Sequence, residues 1–364
     1  MKEFSISRPF DAHVHGREGA LLKKIGPMTA RQFWGAIFEP NLAQPVTTAA
    51  RGKEYLREIC EACGSHFQPY LLAYLTDEID PEDLLAGIDE KTFIGMKFYP
   101  RGATTNSHNG VADVRSLFTR GTRPYEAIQV CAAAGKVVQL HCELNFSLNG
   151  DELDPYHKEA YFFREIMPRL RDEHPDARFS CEHISCLEAV SFMRRYGGEK
   201  LGCSITPHHL LHDRRDMFRG GLHPHLYCLP VIKSQRHNAS LCRFIAKGYP
   251  FVYAGTDSAP HDRHKKECDC CSGGVFTAHT AVELYAEAFA RAHALDYRFE
   301  RFMSFNGPAF YDLEPSGERI TLVPKEWTEG HLIHYSADRQ DVIVPYGYDK
   351  DPAKRHRFLW KTHA

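Results

Sequence analysis

Short apolar runs recur along the chain, and most are followed by turn-forming residues and then by a helical pattern. The runs are rich in β-branched and aromatic residues, which favours strands. Eight strands are predicted, at 5–15, 34–41, 68–76, 93–100, 136–143, 178–185, 201–207 and 251–258. Helices are predicted between and after them, at 51–63, 113–134, 157–173, 186–196, 236–247 and 277–296.

The order of these elements indicates the fold class. Near-continuous apolar strands that alternate with helices predict a parallel sheet covered on both faces. Eight such units favour an α/β fold of the (β/α)8 TIM-barrel type, with a doubly wound open sheet as the alternative. Because no proline-rich linker, internal repeat or low-complexity tract interrupts the chain, we expect a single domain over 1–364, in which 320–364 forms a C-terminal extension.

Composition narrows the kind of partner. The 364 residues include 45 basic and 47 acidic side chains, so no overall field would hold the protein on nucleic acid or on an anionic membrane. No segment approaches the roughly 18 to 20 uninterrupted apolar residues of a membrane span. The twelve cysteines stand mostly within apolar runs, which is typical of reduced, packed thiols. We therefore expect a cytoplasmic protein with a small-molecule partner, and neither a nucleic-acid nor a membrane partner.

Polar residues follow several of the predicted strands, where the active site of such a barrel lies. The first strand contains His13 and His15, which lie two residues apart and so point to the same side. The further candidates are Lys97 in the fourth strand, His141 in the fifth, His183 in the sixth and Asp257 in the eighth. A His-x-His pair alone is a weak signal, but this combination at one rim predicts a metal site.

Lys97 is the unusual member of this set. A lysine ammonium has no lone pair to offer a metal, so an ion pair or a substrate contact is one interpretation. A neutral lysine amine can also add carbon dioxide to give a carbamate, whose two oxygens could bridge two cations and offset their repulsion. The residue pattern leaves both interpretations open.

Longer motifs resemble those of the shorter, bacterial-type dihydroorotases, a family of the amidohydrolase superfamily. They are RPFDAHVHGREG at 8–19, EPNLAQPVTT at 39–48, MKFYPRGATTNS at 96–107, LHCE at 140–143, CEHIS at 181–185, HPHLYCLPVIK at 223–233, GTDSAPHDRHKKE at 255–267 and FNGPAFY at 305–311. The PNLAQPVTT and GTDSAPH blocks are more specific to dihydroorotases than the metal ligands, which the whole superfamily shares.

The resemblance implies a binuclear site with two Zn²⁺ per subunit. The metal ligands that it implies are His13, His15, Lys97, His141, His183 and Asp257. Lys97 would be an N6-carboxylysine that bridges both ions, and Asp257 would also be the catalytic proton carrier. The same donors would accept cobalt or manganese.

The resemblance also implies a substrate and its contacts. The family interconverts N-carbamoyl-L-aspartate and L-dihydroorotate in pyrimidine biosynthesis, as a homodimer. The implied substrate contacts are Arg17, Asn41, Thr104, Thr105, His141, Leu229, His261 and Gly273. Arg17, Asn41 and His261 would bind the substrate carboxylate. Thr104 and Thr105 would belong to a lid, for which an ordinary connecting loop is the alternative.

Two alternative functions and one departure from the family pattern accompany this interpretation. A hydantoinase or allantoinase would use the same metal ligands on another cyclic amide, and an inactive homologue could serve as a scaffold. Gly16 stands where the family has a bulkier apolar residue, which predicts a looser placement of Arg17. Further histidines, among them His208 and His209, are predicted to have structural roles.

Overall fold

The computed structural model describes residues 2–338 and 340–363. Its strands are β1 Phe4–Ser7, β2 Phe10–Val14, β3 Gly35–Phe38, β4 Gln68–Leu71, β5 Ala73–Leu75, β6 Gly95–Phe98, β7 Val137–Leu140, β8 Arg178–Cys181, β9 Leu201–Ile205, β10 Val252–Ala254, β11 Arg319–Thr328, β12 Ile333–His334, β13 Val342–Ile343 and β14 Arg357–His363. Its α-helices are α1 Gly19–Gln32, α2 Ala49–Cys63, α3 Pro81–Asp89, α4 Arg123–Ala133, α5 Lys158–Tyr161, α6 Met167–Glu173, α7 Leu187–Tyr196, α8 Pro207–Leu211, α9 Gln235–Ile245, α10 Arg263–Lys266, α11 Ala281–Arg291, α12 Tyr297–Glu300 and α13 Asn306–Phe310. Short 3₁₀ turns lie at Val114–Phe118, Pro224–Leu226 and Pro352–Lys354, and π-helical turns at Phe162–Ile166 and Arg301–Phe305.

Strands β2 to β10 form a closed parallel barrel. The first three pair in the order β2-β3-β4, and the other six pair in the order β5 to β10. Only Leu72 separates β4 from β5, so the two act as one barrel strand. The ring closes where Asp257 N–H donates to His13 O at 2.9 Å and His15 N–H donates to Ser258 O at 3.2 Å. The predicted (β/α)8 barrel is therefore confirmed.

Asp11 strengthens this closure from inside the barrel. Its carboxylate accepts hydrogen bonds from Thr256 N–H at 2.8 Å and from the Thr256 hydroxyl at 2.6 Å, and it also accepts one from His13 N–H at 3.2 Å. Burial raises the pKa of Asp11 to about 7, against the opposite effect of the Thr256 hydrogen bonds. The first and last barrel strands are thus tied together directly beneath the rim that carries the candidate ligands.

Burial explains the apolar runs seen in the sequence. Every residue of β2, β3, β6, β7 and β9 is buried, because helices cover the outside of the barrel and side chains fill its interior. Polar interior residues bond to one another, as where Gln139 Nε2 donates to Ala12 O at 3.0 Å. Within the described residues, none of the helices has the length and apolar character that crossing a membrane would require.

Some elements differ from the prediction. Predicted strand 5–15 consists of β1 and β2, and β1 leaves the barrel to pair antiparallel with β11. The apolar pattern predicts neither α1 nor α3: α1 contains Gly26 and Pro27, which both disfavour a helix interior. Predicted helix 113–134 is interrupted, since Gly121 at φ 83° separates a 3₁₀ turn from α4.

The C-terminal extension packs on the barrel rather than standing apart from it. Strands β1, β11 and β14 form one antiparallel sheet, and β14 lies against α11. Two buried glutamates of α11 accept hydrogen bonds from β14. Glu287 accepts from Leu359 N–H at 3.0 Å, and Glu283 accepts from the Thr362 N–H at 3.0 Å and from its hydroxyl at 2.8 Å. The extension therefore supplies partners to charges that the barrel helices bury.

We expect a chain that ends at Glu318 to lose cooperative folding, which would support a single folding unit. Truncation removes the partner strand of β1 and the donors to Glu283 and Glu287, and each unsatisfied buried acceptor costs on the order of 1–3 kcal/mol or more. Circular dichroism during thermal unfolding would measure the effect, and Thr362→Val, which loses one hydroxyl donor, gives a graded comparison. A truncated chain that melts cooperatively at the Tm of the full chain would show that the extension is separable.

Candidate metal centre

His13, His15 and Asp257 form the first cluster of donor atoms at the barrel rim. Nε2 of His15 lies 3.0 Å from Oδ1 of Asp257, and Nε2 of His13 lies 3.5 Å from the same oxygen. His13 is the penultimate residue of β2 and His15 directly follows that strand, whereas Asp257 follows β10. Because β2 and β10 meet where the barrel closes, residues distant in sequence converge here.

His141 and His183 form a second pair beside the first cluster. They follow the neighbouring strands β7 and β8, and Nδ1 of His141 lies 3.2 Å from Nε2 of His183. The ring centroids of His183 and His13 are 5.0 Å apart, so the two groups adjoin. Nitrogen and oxygen ligands about 2.0–2.1 Å from a tetrahedral zinc lie roughly 3.3 Å apart. The separations within each group fit donors that converge on a cation.

Lys97 lies on β6 with its amine fully buried beside the first cluster. Its Nζ is 3.1 Å from Oε2 of Glu39, 3.4 Å from Nδ1 of His13 and 3.4 Å from Oε1 of Gln139. Glu39, which directly follows β3, is also fully buried and accepts a hydrogen bond from the Tyr99 hydroxyl at 2.7 Å. The predicted lysine therefore reaches the ligand cluster, and it is paired there with a carboxylate that the sequence interpretation did not include.

A carboxylate orients His13, and a second carboxylate lies near His141. Oε2 of Glu182 is hydrogen-bonded to Nδ1 of His13 at 3.0 Å, whereas Oε2 of Glu143 lies 3.2 Å from Nε2 of His141 without the geometry of a hydrogen bond. A carboxylate that accepts the N–H of one ring nitrogen leaves the lone pair of the other nitrogen for a metal. Glu182 is itself fixed, because it accepts a hydrogen bond from the Ser204 hydroxyl at 2.6 Å.

The electrostatics of the cluster suit a cation. Burial lowers the pKa of His15 to about 4 and that of His183 well below its usual range, so both rings are neutral at pH 7. The pKa of Asp257 lies well below its usual range, since hydrogen bonds from His13 and His15 outweigh the effect of burial. Burial opposes a charge on His13, but the surrounding carboxylates, Glu39 foremost, raise its pKa to about 9. A bound cation would displace that proton.

The backbone is strained at three of the predicted site residues. Arg17, His183 and Asp257 have φ angles of 58°, 42° and 45°, a left-handed region that residues other than glycine rarely adopt. Such conformations cost on the order of 1–3 kcal/mol each and persist only where the surroundings impose them. The strain at this rim indicates that the fold holds these side chains in fixed directions.

The predicted carboxylate contacts lie at the mouth of the same site. Arg17 Nε donates to Pro260 O at 3.0 Å, and Nη2 of Arg17 lies 3.1 Å from Nε2 of His261. Burial and the neighbouring Arg17 charge lower the pKa of His261 to about 2, so its ring is neutral. Asn41 is buried, and its Nδ2 donates to Thr105 O at 3.0 Å.

Gly16 does not loosen Arg17, contrary to the expectation from sequence. A Cβ atom at Gly16 would lie 2.6 Å from the Phe38 ring and 2.7 Å from the Tyr55 hydroxyl, so these two side chains occupy the space of a larger residue. Tyr55 also donates a hydrogen bond to Arg17 O at 2.9 Å. The absence of a side chain at Gly16 therefore leaves room for Tyr55, and Tyr55 holds the backbone of Arg17.

The loop that contains Thr104 and Thr105 covers the site. Besides the Asn41 contact, the Thr105 hydroxyl donates to Gly273 O at 3.3 Å. The cavity beneath is about 10 Å³, enough for no more than about one water. Its lining includes seven of the eight predicted substrate contacts, namely Arg17, Asn41, Thr104, Thr105, His141, Leu229 and Gly273. His261 instead lines the adjoining cavity of about 280 Å³ toward the surface, together with Arg17 and Thr105.

A second group of possible ligands, His208, His209 and Cys228, is buried nearby. His209 is already engaged by protein groups, because Nδ1 lies 2.8 Å from the Thr206 hydroxyl and Nε2 donates to Pro230 O at 2.9 Å. These contacts agree with the structural role predicted for His209. The nitrogens of His208 have no hydrogen-bond partner within the described part of the chain.

Sequence reasoning missed the acidic residues around the ligands. Glu182 directly precedes His183, and Glu143 lies two residues after His141, so both stood within motifs that were recognised. Glu39 lies near the end of the predicted strand 34–41, which was an available signal for the rim. The partners of Glu39 and Glu182 lie on other strands, so only the closed barrel identifies the lysine and the histidine that they contact.

Comparisons with known proteins give a consistent result. The dihydroorotase of Aromatoleum aromaticum is 40% identical over 347 residues, which cover 95% of this chain and 96% of that protein. The dihydroorotase structure from Campylobacter jejuni is 27% identical, with a TM-score of 0.84 over 100% of this chain and 98% of that one. The structure of the Saccharomyces cerevisiae dihydroorotase in complex with 5-fluoroorotic acid is 24% identical. Its TM-score is 0.86, over 100% of this chain and 99% of that one. No protein-family model matches the chain.

We expect Glu182→Gln to weaken metal binding about 10- to 100-fold, because the neutral amide orients His13 less firmly and removes negative charge. Titration with zinc against a competing fluorescent chelator would measure the change. Glu199→Gln, an exposed position beyond α7, is the matched control and should leave the affinity unaltered. Equal zinc affinity in the Glu182 variant and the control would contradict this role.

Proposed function

The chain belongs to the dihydroorotase family, whose members are hydrolases of cyclic amide bonds, and we propose that it interconverts N-carbamoyl-L-aspartate and L-dihydroorotate at the site described above. The observation that carries the proposal is the proximity of a cationic clamp to the metal-type cluster. Arg17 and Asn41 line the same cavity as His13, His15 and Asp257. A ring that carries a carboxylate matches the chemistry of such a site, with its amide toward the cluster and its anion toward Arg17.

We propose that two Zn²⁺ ions occupy this centre. His13, His15 and Asp257 would hold one ion, and His141 and His183 the other. Metal ions at this position would polarise the ring carbonyl and lower the pKa of a water nucleophile to about 7. The fit of the donor separations to tetrahedral zinc and the neutral state of His15 and His183 support this proposal.

Asp257 is the proposed proton carrier. Its carboxylate lies at the cluster, 5% exposed, with Oδ1 within 3.5 Å of the two histidines of the first cluster. In hydrolysis it would accept the proton of the nucleophile and deliver it to the leaving ring nitrogen, and in ring closure it would act in reverse. Its strained backbone supports this function, because φ 45° directs the side chain toward the cluster at an energetic cost.

Arg17, Asn41 and His261 would bind the substrate carboxylate. The guanidinium is suited to a carboxylate because its donors form a planar fork. Since His261 is neutral, the positive charge of this clamp comes from Arg17 alone. Leu229 and Gly273 would contact the ring through backbone groups, and His141 would contact it from the metal side.

The loop at Thr104 and Thr105 is proposed as a lid. A cavity of about 10 Å³ cannot admit a ring, so entry requires the loop to release Asn41 and Gly273. Once the ring is bound, closure would exclude water and strengthen the electrostatic contacts.

Lys97 is proposed to be carboxylated when metal is bound. The bridging anion would offset the repulsion between two divalent cations. The pairing of the Lys97 amine with Glu39 supports a buried, preorganised position for it. Carbon dioxide would add to the neutral amine, and the protons lost from its nitrogen would be released as metal binds. A carbamate at Lys97 and the carboxylate of Glu39 would repel each other unless metal cations offset their charge, so we infer that modification accompanies metal loading.

A homodimeric, cytoplasmic enzyme is the assembly and location that we propose from the family resemblance. Apolar side chains that a second copy could cover support the dimer. Phe146 is 58% exposed, Phe218 56% and Leu222 67%.

We expect the metal-loaded protein to hydrolyse L-dihydroorotate, and Arg17→Ala to raise KM roughly 30-fold, which corresponds to about 2 kcal/mol of lost carboxylate binding. Arg57→Ala, on the exposed face of α2, should behave as wild type. Turnover would be measured with dihydroorotate, hydantoin and allantoin in parallel. Hydrolysis of hydantoin or allantoin without dihydroorotate would disprove the assignment, and absence of all three activities together with little bound metal would favour a scaffold.

We expect reconstitution with zinc and carbon-13 bicarbonate to give one carbamate resonance per chain, which Lys97→Met abolishes. The reason is that Lys97 is the buried amine beside the first cluster, where a carbamate would add the negative charge that two cations need. Nuclear magnetic resonance detects the adduct, and elemental analysis of the same samples gives the zinc content. Two zinc ions per chain without a carbamate resonance would refute the modification and leave the metal site intact.

A further inference from the structure

The buried lysine Lys266 connects the two backbone segments that carry Leu229 and Gly273. Its side chain lies at the end of α10 and is 3% exposed. The ammonium donates to three backbone carbonyls, Tyr227 O, Ser272 O and Gly274 O, each at 2.8 Å. All three hydrogens of the ammonium are therefore used, and each acceptor lies within two residues of Leu229 or Gly273.

Other contacts give Gly273 a defined place. Its carbonyl accepts from Nε2 of His261 at 2.9 Å and from the Thr105 hydroxyl at 3.3 Å. Gly274 N–H donates to Tyr227 O at 2.9 Å, so one carbonyl receives both this N–H and the Lys266 ammonium. Because Lys266 holds the carbonyls on both sides of Gly273, that residue cannot shift without breaking a charged hydrogen bond.

The charge of Lys266 is unusual for its position. No carboxylate lies within ion-pair distance of its ammonium among residues 2–338 and 340–363, and burial lowers its pKa to about 8. Burying a lysine without a counter-charge costs free energy. The three hydrogen bonds to carbonyls offset part of that cost, and the ammonium adds positive potential near the proposed anion site. The adjacent Lys265 has no such role, since its side chain is 58% exposed.

We propose that Lys266 is a positioning residue that holds the Leu229 and Gly273 backbone in the arrangement that binds the substrate ring. This inference rests on the proposed function, because it assigns the ring to those backbone groups. Lys266 does not line the cavity, so it acts through the loops and touches neither the substrate nor the metal-type cluster.

The test compares Lys266→Met with Lys265→Met, a matched control. We expect Lys266→Met to raise KM for dihydroorotate about tenfold or more, with kcat within about twofold and an unchanged zinc content, since ground-state binding is lost and the chemistry is kept. Lys265→Met should match the wild type. Lys266→Gln retains two hydrogen-bond donors, so its KM should lie between those of Lys266→Met and the wild type. If Lys266→Met does not fold, the KM of Lys266→Gln decides the test.

Hydrogen–deuterium exchange separates this inference from the proposed function. We expect the peptide containing residues 268–276 to exchange faster in Lys266→Met and Lys266→Gln than in the wild type or Lys265→Met, whatever the substrate. Faster exchange in the Lys266 variants, together with a wild type that does not turn over dihydroorotate, would refute the function and keep the structural role of Lys266. Unchanged exchange together with unchanged KM, or an equal fall in kcat and kcat/KM, would overturn the inference.

Discussion

Closure of the barrel between β2 and β10 is the constraint on which the site depends. The backbone hydrogen bonds of His13 and His15 to the segment after β10 bring Asp257 to the two histidines, and the buried carboxylate of Asp11 holds that junction from below. The pairing that completes the sheet thereby also completes a cluster of donor atoms. Any slip in register between the first and last strands would separate the histidines from the aspartate while leaving six barrel strands paired as before.

The second feature of the centre is its concentration of buried acid. Glu39, Glu182, Glu143 and Asp257 lie around four histidines and one lysine, and none of these carboxylates is more than 5% exposed. In a protein interior such charges are tolerated when cations are nearby. The acidic residues therefore favour the binding of cations here, and Glu182 fixes Nδ1 of His13 as the nitrogen that donates to it.

The barrel was predictable because strand order and apolar runs follow from local sequence, and the cluster of candidate ligands was predictable because its residues lie at strand ends. Helix α1 was not predictable, because Gly26 and Pro27 disfavour a helix in the local sequence and tertiary packing stabilises it. The contacts of Glu39 with Lys97 and of Lys266 with Tyr227 were not predictable, because each joins chain segments that are distant in sequence. The effect of Gly16 was misjudged for the same reason: its space is set by Phe38 and Tyr55, which local patterns do not connect to it.

Residues 16, 38 and 55 pack against one another as one unit. A side chain added at Gly16 would require a smaller ring at position 38 and the loss of the hydroxyl at position 55, which in turn would free the backbone of Arg17. The single changes are each unfavourable, so their effects would be non-additive. Divergence at this corner of the barrel is therefore expected to proceed by correlated substitutions, and aligned homologues should show residues 16, 38 and 55 covarying.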